Sequence, residues 1–280
     1  MTKLLLSQIF SFLFFVSVSH GATVSGAHFD RVIFVIFENT NYADAIKQSF
    51  FKQLADDGAN FTGFSAETHP SQGNYVALTS GSLNGVRGDG KIDLNVNHVG
   101  DLLEAKGVTW KVYVEDYPGG CFTGGSSGDY ARKHNPFISY LNIQKDARRC
   151  SNIVNSNEFD QDVLNGTLPQ YVFFVPNQKN DGHDTGVKFA DTWYRQRFEN
   201  YFRDVRFMEK TLVISTFDES AGARGNQIYA SFTGPMVATH SIVNGQLNHY
   251  SLLKLVEENW NLGSLGKEDD RAGSIGGIWK

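Results

Sequence analysis

RVIFVIFEN, residues 31–39, is a seven-residue run of almost unbroken apolar, β-branched and aromatic character that leads straight into Glu38 and Asn39. A half-exposed strand alternates polar and apolar residues, whereas an uninterrupted apolar run of this length is the pattern of a strand covered on both faces. Two later runs repeat it: YVFFV at 171–175, followed by the polar cluster from Asn177 to Asp184, and TLVISTF at 211–217, followed by Asp218 and Glu219. Helical spacing falls between the runs, at 49–57 (Phe50, Phe51, Leu54, Ala55, then Gly58), at 99–105 before Gly107, at 193–208 and at 249–260. Residues 60–65 and 109–114 read as shorter strands. This alternation predicts an α/β fold: a mostly parallel central sheet in a three-layer α/β/α arrangement.

The remaining composition supports that reading and narrows the function. The chain has 280 residues, 41% hydrophobic, 13% aromatic and 20% charged, which excludes disorder, collagen and coiled coil. With 25 basic against 30 acidic residues the net charge is −5, so a grip on nucleic-acid phosphates is not expected. Lys3 followed by an apolar stretch at 4–18, broken only by Ser and Gln, reads as a signal peptide over residues 1–21. A membrane anchor needs about 20 uninterrupted apolar residues. The expectation is a secreted single domain over 22–280, monomeric and without a stable membrane anchor. Cys121 and Cys150 then pair as a disulfide across a Gly-rich loop, and Asn60 and Asn165 head N-glycosylation sequons.

A parallel sheet places the C-terminal ends of its strands on one edge, where α/β proteins bind ligands. Glu38-Asn39, the cluster holding Asp181, His183 and Asp184, and Asp218-Glu219 all end such strands. Carboxylate and amide oxygens converging there suit a hard divalent cation. Ser71 lies in a turn before Asn74 and Tyr75. Its local sequence reads either as a helix N-cap or as a nucleophile that a metal would activate. His69 could line a phosphate pocket or pack under that turn. His28, His98, His134 and His240 read as surface or core residues, and Arg87, Lys91 and Lys179 as surface charges that could face a substrate. The irregular segment 118–136 reads as a functional excursion over one end of the sheet.

THPSQGNYVALTSG, residues 68–81, resembles the nucleophile segment of the phosphoesterase family of acid phosphatases and phospholipases C, within the alkaline phosphatase superfamily. Glu38-Asn39 resembles the family's first metal motif, the stretch from Asn180 to Asp184 its His-Asp motif, Asp218-Glu219 its second metal motif, and the helix opening His249-Tyr250 its last. The resemblance implies that Glu38, Asn39, Asp218 and Glu219 hold a metal and that Ser71 attacks phosphorus. Asn74 and Asn39 would help bind the phosphoryl group. His183, and His249, would bind phosphate or protonate the leaving group, with Asp181 or Asp184 orienting them. Where two-zinc relatives have an Asp-His pair, this chain has Asp218-Glu219, which implies one divalent ion, Ca²⁺, Mg²⁺ or Zn²⁺. Gly73 stands where relatives commonly have proline, a change expected to loosen the turn. The implied activity is hydrolysis of small phosphate monoesters through a phosphoserine. The alternatives are a phosphodiesterase or phospholipase C, whose family members are generally longer, and an inactive secreted binding protein.

Overall fold

The computed structural model describes residues 23–222 and 224–280, so the signal-peptide segment lies outside the described residues. Eight strands form the main sheet: β1 (Arg31–Phe37), β2 (Ala59–Phe61), β3 (Trp110–Val114), β4 (Ile153–Asn155), β5 (Tyr171–Val175), β6 (Thr211–Phe217), β7 (Ala230–Thr233) and β8 (Ser241–Val243). Their spatial order is β8-β2-β7-β6-β1-β5-β3-β4. Every strand is parallel to β1 except β7, which runs antiparallel to β6 and β2. The three apolar runs are thus neighbours at the centre of the sheet, and all seven residues of β6 and all five of β5 are buried.

Six longer helices cover the sheet: α1 (Ser49–Asp57), α2 (Gln72–Ser80), α3 (Val99–Lys106), α4 (Glu158–Asn165), α5 (Val187–Arg203) and α6 (His249–Trp260). On one face Phe37 packs against Phe51 of α1 and Tyr194 of α5, each 4.9 Å between ring centroids. Phe174 meets Phe159 of α4 and Phe198 of α5 there. On the other, Phe34 and Phe173 pack toward Phe137, which meets Trp110 and the His98 cap of α3. Helix α6 lies against α2 and α3. The arrangement is three-layered, as the pattern predicts.

Some boundaries differ for local reasons. The expected helix at 193–208 begins earlier, at Val187, and breaks at Asp204, whose extended backbone and side-chain bond to the Arg206 amide (2.9 Å) end one helix and cap a short turn. The expected strand at 60–65 divides: Ala59–Phe61 joins the main sheet, and Phe64–Ser65 pairs with Leu247–Asn248. Cys121 and Cys150 are joined, with Cα atoms 5.7 Å apart. Of the two sequon residues, Asn165 is exposed at the end of α4, while Asn60 is half-buried in β2 with its amide on the Tyr42 hydroxyl (3.0 Å).

Candidate active site

The pairing of β6, β1 and β5 continues past the strands. The Asp218 amide donates to Phe37 O (2.8 Å), the Thr40 amide to Glu219 O (3.1 Å) and the Glu38 amide to Asp181 O (3.0 Å). These bonds bring Glu38, Asp181, Asp218 and Glu219 onto one edge, all of them buried. Asn39 turns the chain there with φ 46°, a left-handed conformation that asparagine tolerates. Its amide N–H bonds Asp218 Oδ1 (3.2 Å) and its side chain donates to Glu38 Oε2 (3.2 Å).

Ser71 comes to this cluster from α2. Its backbone is already helical and its side chain caps nothing, so the N-cap reading fails. The hydroxyl instead lies 3.0 Å from Glu38 Oε2 and 3.1 Å from Glu219 Oε1, and it is 1% exposed. A hydroxyl has one hydrogen and can serve only one of these carboxylates at a time. The turn that presents it is fixed by Asn74, whose Oδ1 accepts from the Glu67 and Thr68 amides (3.0 Å each) while its Nδ2 donates to Thr68 O (2.9 Å). Asn74 therefore orients the segment that carries Ser71, with its amide on backbone and not on an open phosphate pocket. Gly73 sits inside α2, where a Cβ would approach Thr68 Cγ2 to 2.6 Å. The turn is held by close packing and by Asn74, so the glycine does not loosen it.

Two residues that the sequence reading did not assign to the site belong to it. His134, set aside as surface or core, is buried with Nε2 3.0 Å from Glu38 Oε1 and Nδ1 3.2 Å from Asp181 Oδ2, and it stacks on Tyr75. Tyr75 donates to the same Glu38 oxygen at 2.8 Å. Lys133 reaches Asp89 (3.0 Å) and lies 3.4 Å from His183 Nε2. Burial alone would lower its ammonium, but Glu38 and Asp89 outweigh that and raise it. Both come from a three-residue helical turn, Arg132–His134, within the irregular excursion. The run Arg132-Lys133-His134 in that excursion was the available signal.

The histidines of the motifs divide. His183 is part-exposed, with Nδ1 2.7 Å from Asp184 Oδ1, so Asp184 orients it with Nε2 toward Lys133. His249 is buried beneath the cluster, its Nε2 2.8 Å from the Asp218 carbonyl oxygen, and burial lowers it to about 4. A neutral imidazole tied to backbone supports Asp218 and does not face a leaving group. His69 pairs with Glu219 Oε2 at the rim. Lys179 pairs with Asp129, away from the carboxylates.

The electrostatics of the edge suit a cation. Burial raises Asp181 to about 8 and, with the charge of Glu219, Asp218 to about 7; burial and then Asp218 and Asp181 push Glu38 well above its ordinary value. Asp218 Oδ2 is buried without a hydrogen-bond partner among the described residues. Glu38, His134 and Asp181 also offer ligand atoms within 4.8 Å of one another. Carboxylates this close, out of water, need a proton or a positive ion between them.

The model of the phosphoesterase family matches residues 38–263, a span running from Glu38 to just past α6. The chain belongs to the phosphoesterase family. It is 37% identical over 265 residues to a probable acid phosphatase of Kluyveromyces lactis, covering 89% of this chain and 62% of that one. It is 35% identical over 263 residues to an acid phosphatase of Aspergillus fumigatus, covering 89% and 58%. This phosphoesterase thus spans about three-fifths of the length of those relatives. Its fold is that of the alkaline phosphatase superfamily: a member from Vibrio parahaemolyticus superimposes with a TM-score of 0.62 at 13% identity, over 91% of this chain and 72% of that one.

Proposed function

We propose that this phosphoesterase is a secreted, metal-dependent phosphatase of the acid-phosphatase type, which hydrolyses small phosphate monoesters through a phosphoserine on Ser71. The observation that carries the reading is the Ser71 hydroxyl, buried and held 3.0 and 3.1 Å from two carboxylates in a cluster that calls for a cation. Glu38, Asp218 and Glu219, with Asn39 beside them, are the residues that would hold the metal. When bound, a divalent ion would lower the hydroxyl's pKa and offset charge on the phosphoryl oxygens.

The chain's own groups then have distinct tasks. Ser71 Oγ gives its proton to the carboxylate it faces and bonds to phosphorus, and the bond from phosphorus to the ester oxygen breaks. His183, oriented by Asp184, is placed to protonate the departing alkoxide through Nε2. Lys133 neutralises phosphoryl charge at the mouth. Water then attacks the phosphoserine, releasing phosphate and restoring the Ser71 hydroxyl.

The test compares phenyl phosphate with bis(p-nitrophenyl) phosphate for the wild type, Ser71→Ala and Asp218→Asn. The monoester should be preferred, and Ser71→Ala should lose about 10³-fold or more in kcat, in line with loss of a covalent nucleophile. Wild type quenched during turnover should carry phosphate on the peptide containing Ser71. Full activity in Ser71→Ala would remove it as nucleophile, and diester preference would move the reading to a phosphodiesterase.

A further inference from the structure

We propose that Lys133 makes the site select phosphate monoesters over diesters: its ammonium is placed to meet the phosphoryl oxygen that a diester replaces with a second organic group. This rests on the phosphatase reading above. At neutral pH a monoester carries a charge of about −1.5 to −2, because its second pKa is near 6. A diester is a monoanion, so a cation on the third oxygen tells the two apart.

The ammonium is held in position from several sides. Lys133 is the middle residue of the helical turn Arg132–His134, and both its neighbours are buried, so the backbone is fixed while the Lys133 side chain emerges between them. Lys133 Nζ donates to Asp89 Oδ2 (3.0 Å), and Asp89 Oδ1 accepts from the amide of Gln72, the residue after Ser71 (3.0 Å). The same Nζ lies 3.4 Å from His183 Nε2, the proton donor of the proposed reaction. One carboxylate thus ties the ammonium to the segment that carries Ser71, and the ammonium sits beside the group that would meet the leaving oxygen. Lys133, Asp89 and His183 keep 16%, 29% and 30% of their side-chain surface exposed, so a substrate can reach them.

An ammonium has three N–H donors. Among the described residues Asp89 and His183 are the partners of Lys133 Nζ, which leaves a donor for a phosphoryl oxygen. Burial alone would lower the ammonium, but Glu38, Asp89 and Asp218 outweigh that, so Lys133 keeps its charge. Other cations around this edge are committed: Arg132 to Thr123 O (2.8 Å), Ile92 O (2.6 Å) and Asp93 (2.7 Å), Lys179 to Asp129 (2.9 Å), and His69 to Glu219. A third anionic oxygen gains a charge-assisted hydrogen bond from Lys133. An esterified oxygen bears no charge, and its organic group would cover a half-buried ammonium without pairing it, a penalty that works against the diester.

The experiment measures kcat/KM at pH 7 for phenyl phosphate and bis(p-nitrophenyl) phosphate, and calorimetric binding of inorganic phosphate, with the metal-supplemented wild type, Lys133→Met and Lys91→Met. Lys133→Met keeps an unbranched stem and removes the charge. Lys91→Met removes an equal charge from an exposed position two residues beyond Asp89. The ratio of monoester to diester constants should fall about 10- to 100-fold in Lys133→Met, as expected for loss of a hydrogen bond to a charged group, and stay within about threefold of wild type in Lys91→Met. Inorganic phosphate should bind Lys133→Met about tenfold or more weakly, a readout that needs no turnover. A ratio and a phosphate affinity both within about threefold of wild type in Lys133→Met, or an equal fall in Lys91→Met, would overturn this role of Lys133. Either result in an enzyme that prefers the monoester spares the phosphatase reading, whereas a wild type that prefers the diester, or cleaves neither ester, overturns both.

Discussion

His134 lies between Glu38 and Asp181 with one ring nitrogen on each, and only certain proton placements satisfy all three groups. Burial raises Asp181 to about 8 and lowers His134 well below its ordinary value, so the trio carries less charge than the same groups would in water. Glu38 accepts from Tyr75 on one oxygen, with His134 Nε2 3.0 Å from it, and presents the other to Ser71. His134→Gln should lower kcat by about 10- to 100-fold, the usual consequence of removing a group that orients a metal-binding or catalytic residue. KM should change little, because the ring does not reach the substrate. Steady-state kinetics checks this, with circular dichroism to confirm folding; unchanged kcat would reduce His134 to packing beside Tyr75. Beyond the basic run Arg132-Lys133-His134 the sequence gave no sign of this role, since the partners of His134 come from Glu38, 96 positions earlier, and Asp181, 47 later. Glu38, Ser71, Asp218 and Glu219 were legible because each abuts an apolar run or a recognisable motif, and an isolated histidine in a loop has no such frame.

At the scale of elements, hydrophobic pattern located β1, β5, β6, α1 and α6 because each carries a full apolar face or run. It missed the short β4, β7 and β8, of three or four residues, which pair at or near the sheet edges where a few residues set no period. Helix α6 also holds a buried polar pair that pattern cannot reveal. Glu257 faces Asp269, and burial followed by that neighbouring charge raises it to about 8. A carboxyl with a raised folded-state pKa contributes stability that is complete below its unfolded value, near 4.5, and lost as pH rises toward 8. Glu257→Gln keeps an N–H donor for Asp269 and removes the ionisation. It should therefore match the wild type at pH 4.5 and exceed it by roughly 2 kcal/mol at pH 8. Urea unfolding at the two pH values decides it: an equal difference at both would mean that Glu257 titrates normally.

Over the whole molecule, the sheet gathers its acidic residues at the ends of its three central strands, β5, β1 and β6. The nearby cationic groups do not balance four buried carboxylates: Lys133 is shared with Asp89, His69 meets only Glu219 at the rim, and His249 is held neutral by burial. The centre of the fold and the site are therefore one electrostatic problem, and an ion that relieves it acts on stability as well as on chemistry. Adding Ca²⁺ or Mg²⁺ to chelator-treated protein should raise the melting temperature. At 100 times the dissociation constant the gain is about 2.7 kcal/mol, which for a chain of this size corresponds to roughly 5–10 °C. Ser71→Ala should keep the greater part of that shift, because the carboxylates remain, whereas Asp218→Asn should lose it. This separates the cation's structural effect from its part in turnover, and differential scanning calorimetry reads it without substrate. A melting temperature indifferent to chelator and to added ions would mean that protons, not a metal, hold these carboxylates together.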